Sequence, residues 1–235
     1  MAWQKRFREV DRKKIVQIAK NSLWSKDGEK ALEYLRIKRG FSDEIIKEFD
    51  FGYCPLKINH QLRGRLITPI YDSHKHLVAL STRHLDESVD NRFWHESFDK
   101  SSYVYGLCYA KKYILKYHKV IIVEGEFDVA YLHTVGFNMA VSICGSALTL
   151  SQSVLLSRYC KEVYLVFDGD KQGQIAIERS LKLHKKHNLN VYGIKFIPVK
   201  LPLDKDPDEF LKENKKEKFR HLLIESKEEY KLCNS

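Results

Sequence analysis

Residues 162–180, EVYLVFDGDKQGQIAIERS, change character halfway. Glu162–Phe167 is a short, apolar, β-branched and aromatic run of the length expected for a buried strand. Asp168-Gly169-Asp170 then turns the chain. From about Gln174 to His187 the apolar residues recur at helical spacing. A strand that ends on carboxylates and glycine and feeds a helix is half of a parallel β-α-β unit.

Reading outward from this segment finds the same grammar on both sides. Upstream, KVIIVEG (119–125) is another β-branched run, ending at Glu124 and Gly125. A helix over Phe127–Val135 stops at Gly136, and Met139–Ile143 reads as a second strand. Gly145 turns the chain, and Thr149 with Gln152 three residues later forms a capping-box signature. Downstream, Val191–Ile197 reads as a fourth strand, followed by LPLDKDPDEF (201–210), an acidic turn punctuated by proline that opens a last helix. Alternating strands and helices with continuously apolar strands imply a parallel sheet flanked by helices. The fold class expected is α/β.

The front of the chain is different. Residues 3–22 have helical spacing, and Glu29–Phe49 reads as two short helices broken at Gly40, the second capped by Ser42. Arg65–Tyr71 and His76–Arg83 are β-rich runs around a polar turn at Asp72–Lys75, which reads as a hairpin. Leu85–Ser102 is polar and reads as an irregular surface loop. The expected organisation is a smaller α+β subdomain over 1–117, an α/β domain over 118–212 and a short helical tail over 213–235.

Composition narrows the classes. Hydrophobic content of 43% with 12% aromatics argues against disorder. Neither an apolar stretch of membrane-spanning length nor a secretion signal is present, so a cytoplasmic location and no membrane partner are expected. The five cysteines include no CxxC or CxxH pair, so no zinc site is expected within this sequence. Residues 1–117 carry 23 Lys and Arg against 15 Asp and Glu, whereas residues 118–235 carry 18 against 16. A basic front half points to a polyanion partner held there.

In open α/β sheets ligands bind beyond the carboxyl ends of the strands. Three acidic groups fall there: Glu124, then Asp168 with Asp170, then Asp206 with Asp208. Gathered carboxylates repel unless a cation neutralises them, and hard oxygen ligands suit Mg²⁺ or Mn²⁺. Such ions activate an attacking hydroxyl and stabilise charge on a transferring phosphoryl group. Singly, each group also reads as a helix cap or turn, and Asp-x-Asp also occurs in glycosyltransferases and phosphatases. The haloacid-dehalogenase phosphatase pattern would place Thr where this chain has Gln172.

Taken in order, VEGEFDVAYLHTVGF (123–137), CGSALT (144–149), VFDGDKQGQIAIERS (166–180) and DKDPDEFL (204–211) resemble the Toprim domain of primases, topoisomerases and some nucleases. The resemblance implies that Glu124 is the Toprim glutamate, that Asp168 and Asp170 are metal-binding aspartates and that Asp206 and Asp208 are the later acidic pair. Asp128 matches the second acid of the EGxxD segment; a helix N-terminal charge is its other reading. The front segments RGFSDEIIKEFDFGYCP (39–55), GRLITPIYD (64–72), LSTRHL (80–85) and KSSYVYGL (100–107) resemble the N-terminal subdomain of the DnaG-type primase core. That match implies template- or nucleotide-binding roles for Arg39, Arg83, Arg92 and Lys100. Arg63 and Arg65 read instead as solubility charges at a strand edge, and Tyr103, Tyr105 and Leu107 as core packing.

The family resemblance therefore implies a metal-dependent nucleotidyltransferase that makes short RNA primers from NTPs on single-stranded DNA, using one to three Mg²⁺ or Mn²⁺ ions. A Toprim nuclease and a non-catalytic regulator of priming are the alternatives. No stretch resembles the zinc-binding module of the family, so a replicative helicase or a separate zinc-binding protein is an expected partner. The resemblance as a whole is to a minimal, phage-like primase.

Overall fold

A computed structural model describes residues 8–57, 61–86 and 88–234. The chain divides into two compact units, 1–99 and 100–235.

In the first unit, helix α1 (Glu9–Leu23) packs on a sheet of four antiparallel strands in the order β1-β2-β3-β4. These are β1 (Gly52–Tyr53), β2 (Arg65–Tyr71), β3 (Leu77–His84) and β4 (Phe93–His95). The expected hairpin is β2–β3, with Arg65 opposite His84. Helix α2 (Glu29–Glu33) runs on as a π-helical turn, Tyr34–Lys38, and ends before Gly40, which has a positive φ. Helix α3 (Asp43–Glu48) starts at the expected cap, with the Ser42 hydroxyl accepting from the Ile45 N–H. The helix expected from residue 3 begins at Glu9 among the described residues; its first part lies outside them.

Two features of this unit depart from expectation. Leu85–Ser102 is not wholly irregular, because Phe93–His95 pairs with Ser81–Arg83 as β4. Three residues are too few to show a period in sequence. Arg65 is not an edge charge. Its strand β2 is interior to the sheet, its side chain is buried, and its guanidinium donates to the carbonyls of Asn91 (2.7 Å) and Arg92 (3.1 Å). Buried away from water, that guanidinium is lowered from its ordinary pKa. Arg12 is likewise buried and bonds Glu96 (3.1 Å) and the Leu77 carbonyl (3.0 Å), tying α1 to the sheet.

The second unit begins earlier than the composition break. Helix α4 (Leu107–Tyr117) contributes Leu107, Ala110 and Ile114 to this unit's core. Its lysines therefore belong here, and so does Lys100. Residues 1–99 carry 19 basic against 15 acidic residues and residues 100–235 carry 22 against 16, so the first unit is not the more basic one.

Four parallel strands follow: β5 (Lys119–Val123), β6 (Ala140–Ser142), β7 (Glu162–Leu165) and β8 (Lys195–Pro198), in the order β6-β5-β7-β8. The fourth strand is shorter than expected because Leu189–Tyr192 is a 3-10 turn. Helices α5 (Glu126–Thr134), α6 (Leu150–Ser157), α7 (Lys171–Lys186), α8 (Pro207–Glu213) and α9 (Lys216–Asn234) complete the unit. Alternation along the strands sends Val120, Ile122, Val163 and Leu165 into one core with α4, α6 and α7. On the other face, Phe219 of α9 packs against Phe137 (4.9 Å between ring centroids) and Phe210 (6.2 Å).

The capping box at α6 forms as read: Thr149 and Gln152 exchange bonds. Gln152 also donates to the carbonyls of Lys100 (3.0 Å), Tyr103 (2.8 Å) and Ile143 (3.0 Å), pinning the entry segment to the sheet. Tyr105 and Leu107 are core residues, 1% exposed each.

Candidate functional site

The chain leaves β5 for β6 on one side and then crosses to β7 on the other. The crevice between β5 and β7 is thus the point where strand order reverses, the usual ligand position of such sheets. Glu124 follows β5 and Asp168 lies just past β7. They are joined directly, since the Asp168 N–H donates to Glu124 Oε1 at 3.2 Å.

Local chemistry sets each acid in place. Asp170 is the N-cap of α7 and accepts from the Gly173 N–H at 2.8 Å. Asp206 caps α8 and accepts from the Glu209 N–H at 2.7 Å. Asp128 stands in the first turn of α5 and accepts from the Gly125 N–H at 3.0 Å. Two glycines are required by close approach: a Cβ at Gly169 would overlap the Pro202 carbonyl, and one at Gly173 the Asp168 carbonyl.

Helices α5 and α8 pack with their acidic first turns together. Carboxylate oxygens of Asp128, Asp206 and Asp208 lie within 4.8 Å of one another. Asp128 is thus both a helix-cap acid and a member of the cluster, so its two readings coexist. Among the described residues, Glu124, Asp168 and Asp170 form no such tight triad, but the field of Asp168 couples the two groups.

The electrostatics are those of a crowded anionic basin with few compensating cations. Burial, then the charges of Glu124, Asp170 and Asp208, push the Asp168 carboxyl up to about 7. Burial drives Asp128 well above the carboxylate range, with Asp208, Asp206 and Asp168 adding to it. Asp206 is raised by burial and by its neighbour Asp208, and Glu124 chiefly by burial. One buried oxygen of Asp168, Oδ1, has no hydrogen-bond partner. Close, dehydrated carboxylates with an orphaned oxygen are the donor set of a hard divalent cation. The residues present fit divalent-metal binding.

Sequence reading missed Lys212, which sits one turn after Asp208 and pairs with it at 2.7 Å. The i,i+4 spacing was the available signal. The same ammonium lies 5.0 Å from the centre of the Tyr131 ring.

In the first unit, three of the four basic residues singled out come together. Arg39 donates to the Tyr34 hydroxyl (2.9 Å), Arg83 lies over the Tyr34 and Phe93 rings (5.7 and 4.8 Å), and Arg92 over Phe93 (5.3 Å). Tyr34 and Phe93 were not foreseen; Phe93 entered with the unrecognised strand. Lys100 lies in the second unit, in a 3-10 turn.

The Toprim-like family model matches residues 121–211. The second unit is accordingly a Toprim-like domain, a fold that presents acidic residues beyond the strand ends. The DNA primase of Aquifex aeolicus is 32% identical over 231 residues, covering 84% of this chain and 45% of that protein. The DNA primase of Clostridium acetobutylicum is 36% identical over 166 residues, 69% of this chain and 27% of that protein. A crystal structure of the zinc-binding and RNA polymerase domains of the Aquifex aeolicus primase matches with TM-score 0.79 and 27% identity, covering 92% of this chain and 60% of that one. A DnaG catalytic core structure shares the fold, with TM-score 0.83 at 24% identity over 92% of this chain and 79% of that one. The chain carries a catalytic core of the DnaG primase type, built on a Toprim domain. It spans less than half the length of these curated relatives.

Proposed function

We propose that this chain joins NTPs into short RNA primers on a single-stranded DNA template. The observation that carries the reading is the basin of six carboxylates at the switch point of the sheet, within a core like that of named DNA primases. One such relative by structure, at 23% identity, is a DnaG primase catalytic domain bound to single-stranded DNA.

Asp128, Asp206 and Asp208 would hold one Mg²⁺ or Mn²⁺, and Glu124, Asp168 and Asp170 would share another. When bound, these ions neutralise triphosphate charge and acidify the attacking hydroxyl. The primer 3′-oxygen forms a bond to the α-phosphorus, the bond to the β-phosphate oxygen breaks, and pyrophosphate leaves. Glu124, half-buried with a raised proton affinity, accepts the hydroxyl proton or serves as a ligand. Arg39, Arg83, Arg92 and Lys100 hold template or nucleotide phosphates, a salt-sensitive and largely sequence-independent mode. A helicase or a separate zinc-binding protein would tether the chain to template and raise its local concentration there.

The test is incubation with single-stranded DNA, labelled NTPs and Mg²⁺ or Mn²⁺, with the products sized. Primers of a few to tens of nucleotides are expected, lost in Asp168→Ala and Asp170→Ala with the fold intact. Template cleavage would assign the nuclease reading, and DNA binding without product the regulator reading.

A further inference from the structure

The sheet of the second unit has two ends of opposite sign. Glu124 and Asp168 lie beyond the carboxyl ends of β5 and β7, whereas Lys119 and Glu162 open those same strands. At this opening end a cleft of about 710 Å³ runs between the sheet and α9. Six basic side chains line it: His118, Lys119, Lys161, Arg220, Lys227 and Lys231. Among the described residues lining it there are two carboxylates, Glu162 and Glu228, and each is already engaged by a lysine, Lys227 (2.6 Å) and Lys231 (2.8 Å). Lys119, Lys161 and Arg220 have no ion pair among the described residues.

The rest of the lining is aromatic and apolar. Phe137, Met139 and Tyr164 form part of the wall, and Tyr117 stands at the rim, 48% exposed. Its ring carries Lys116 at 5.2 Å and Lys119 at 5.9 Å. Exposed lysines continue past the cleft, Lys112 and Lys116 along α4 and Lys195 at the start of β8. Basic residues interleaved with an accessible aromatic ring form the pattern that tracks a phosphate backbone and stacks a base.

We propose that this end of the sheet is a second nucleic-acid surface, separate from the acidic basin, which takes a single strand with its phosphates on Lys119, Lys161 and Arg220 and a base on Tyr117. A strand fits better than a free nucleotide because cations extend beyond the cleft on both α4 and β8, and one triphosphate would engage few of them. The segregation of charge supports the polarity. Six of this unit's 16 acidic residues gather at the far end, and five of its 22 lysines and arginines line the cleft.

The experiment measures binding of labelled single-stranded DNA and RNA oligonucleotides to the whole chain in EDTA, across a salt series, so its outcome is independent of primer synthesis. The triple neutralisation Lys119→Gln, Lys161→Gln and Arg220→Gln is compared with the parent after its melting temperature is shown to be unchanged. If three phosphates are held there, the log–log salt slope should flatten by about two. Oligonucleotides carrying 5-iodouracil should cross-link to the peptide containing Tyr117, and Tyr117→Leu should lose that adduct while keeping its fold. An unchanged slope, with no adduct at Tyr117, overturns the proposal. Affinity independent of oligonucleotide length, with full displacement by free ATP, overturns it in favour of a mononucleotide pocket.

Discussion

Replacing Asp168 by asparagine should make the metal-free protein more stable, and the gain should grow with pH. Asp168 has a pKa near 7 in place of the ordinary 3.8, because burial and the charges of Glu124, Asp170 and Asp208 oppose its ionisation. At about 1.4 kcal/mol for each tenfold change in proton affinity, holding it charged is a penalty of about 4 kcal/mol at most. The side chain is only half-buried, and solvent screening brings this to about 2 kcal/mol. The folded protein binds this proton more tightly than the unfolded chain does. Stability therefore falls as pH rises from about 4 to 7, and the full penalty is present above the folded pKa. Asparagine has the same shape and no ionisation, and it leaves the backbone N–H of residue 168 on Glu124. Thermal unfolding in EDTA at pH 8 should show the variant melting about 4–8 °C higher. At pH 5 the difference should shrink to roughly a third. Adding Mg²⁺ or Mn²⁺ should stabilise the parent more than the variant and narrow the gap. A variant no more stable than the parent at pH 8, or a gain independent of pH, would refute the picture of a mutually repelling acidic basin.

Gly173→Ala should destabilise the second unit by about 1–3 kcal/mol in urea, since its Cβ would overlap the Asp168 carbonyl. Gly145→Ala, whose nearest neighbour would be at 3.6 Å, should leave the midpoint within about 0.5 kcal/mol. Arg12→Ala removes one partner of the buried Arg12–Glu96 ion pair and should cost the first unit about 3–5 kcal/mol, read from its own unfolding transition. Arg83→Ala should weaken single-stranded DNA binding and flatten its salt slope by about 0.7; an unchanged slope would remove Arg83 from the interface.

The strand–turn–helix segments of the second unit could be read because each is specified locally. KVIIV and EVYL are apolar and buried on every residue after the first because both faces of a parallel sheet are covered. Ser42, Thr149 with Gln152, and Asp206 are caps whose hydrogen bonds span only three residues. The acids were legible for the same reason, since each follows a strand or opens a helix. Family resemblance then supplied roles that no local rule contains.

Tertiary structure decided what depends on partners distant in sequence. Phe93–His95 is a strand only because Ser81–Arg83 lies beside it. Arg65 is a buried strut only because Asn91 and Arg92 return their carbonyls to it. The basic front half dissolved once α4 was found packing on β5 and β6, because charge counted along a chain says nothing of where the chain folds back. Asp128 is 78 residues from Asp206 in the chain, and only the packing of α5 on α8 makes them one cluster. The sequence carried the acids and their local caps; the long-range contacts set their mutual repulsion, and with it their fit to a divalent cation.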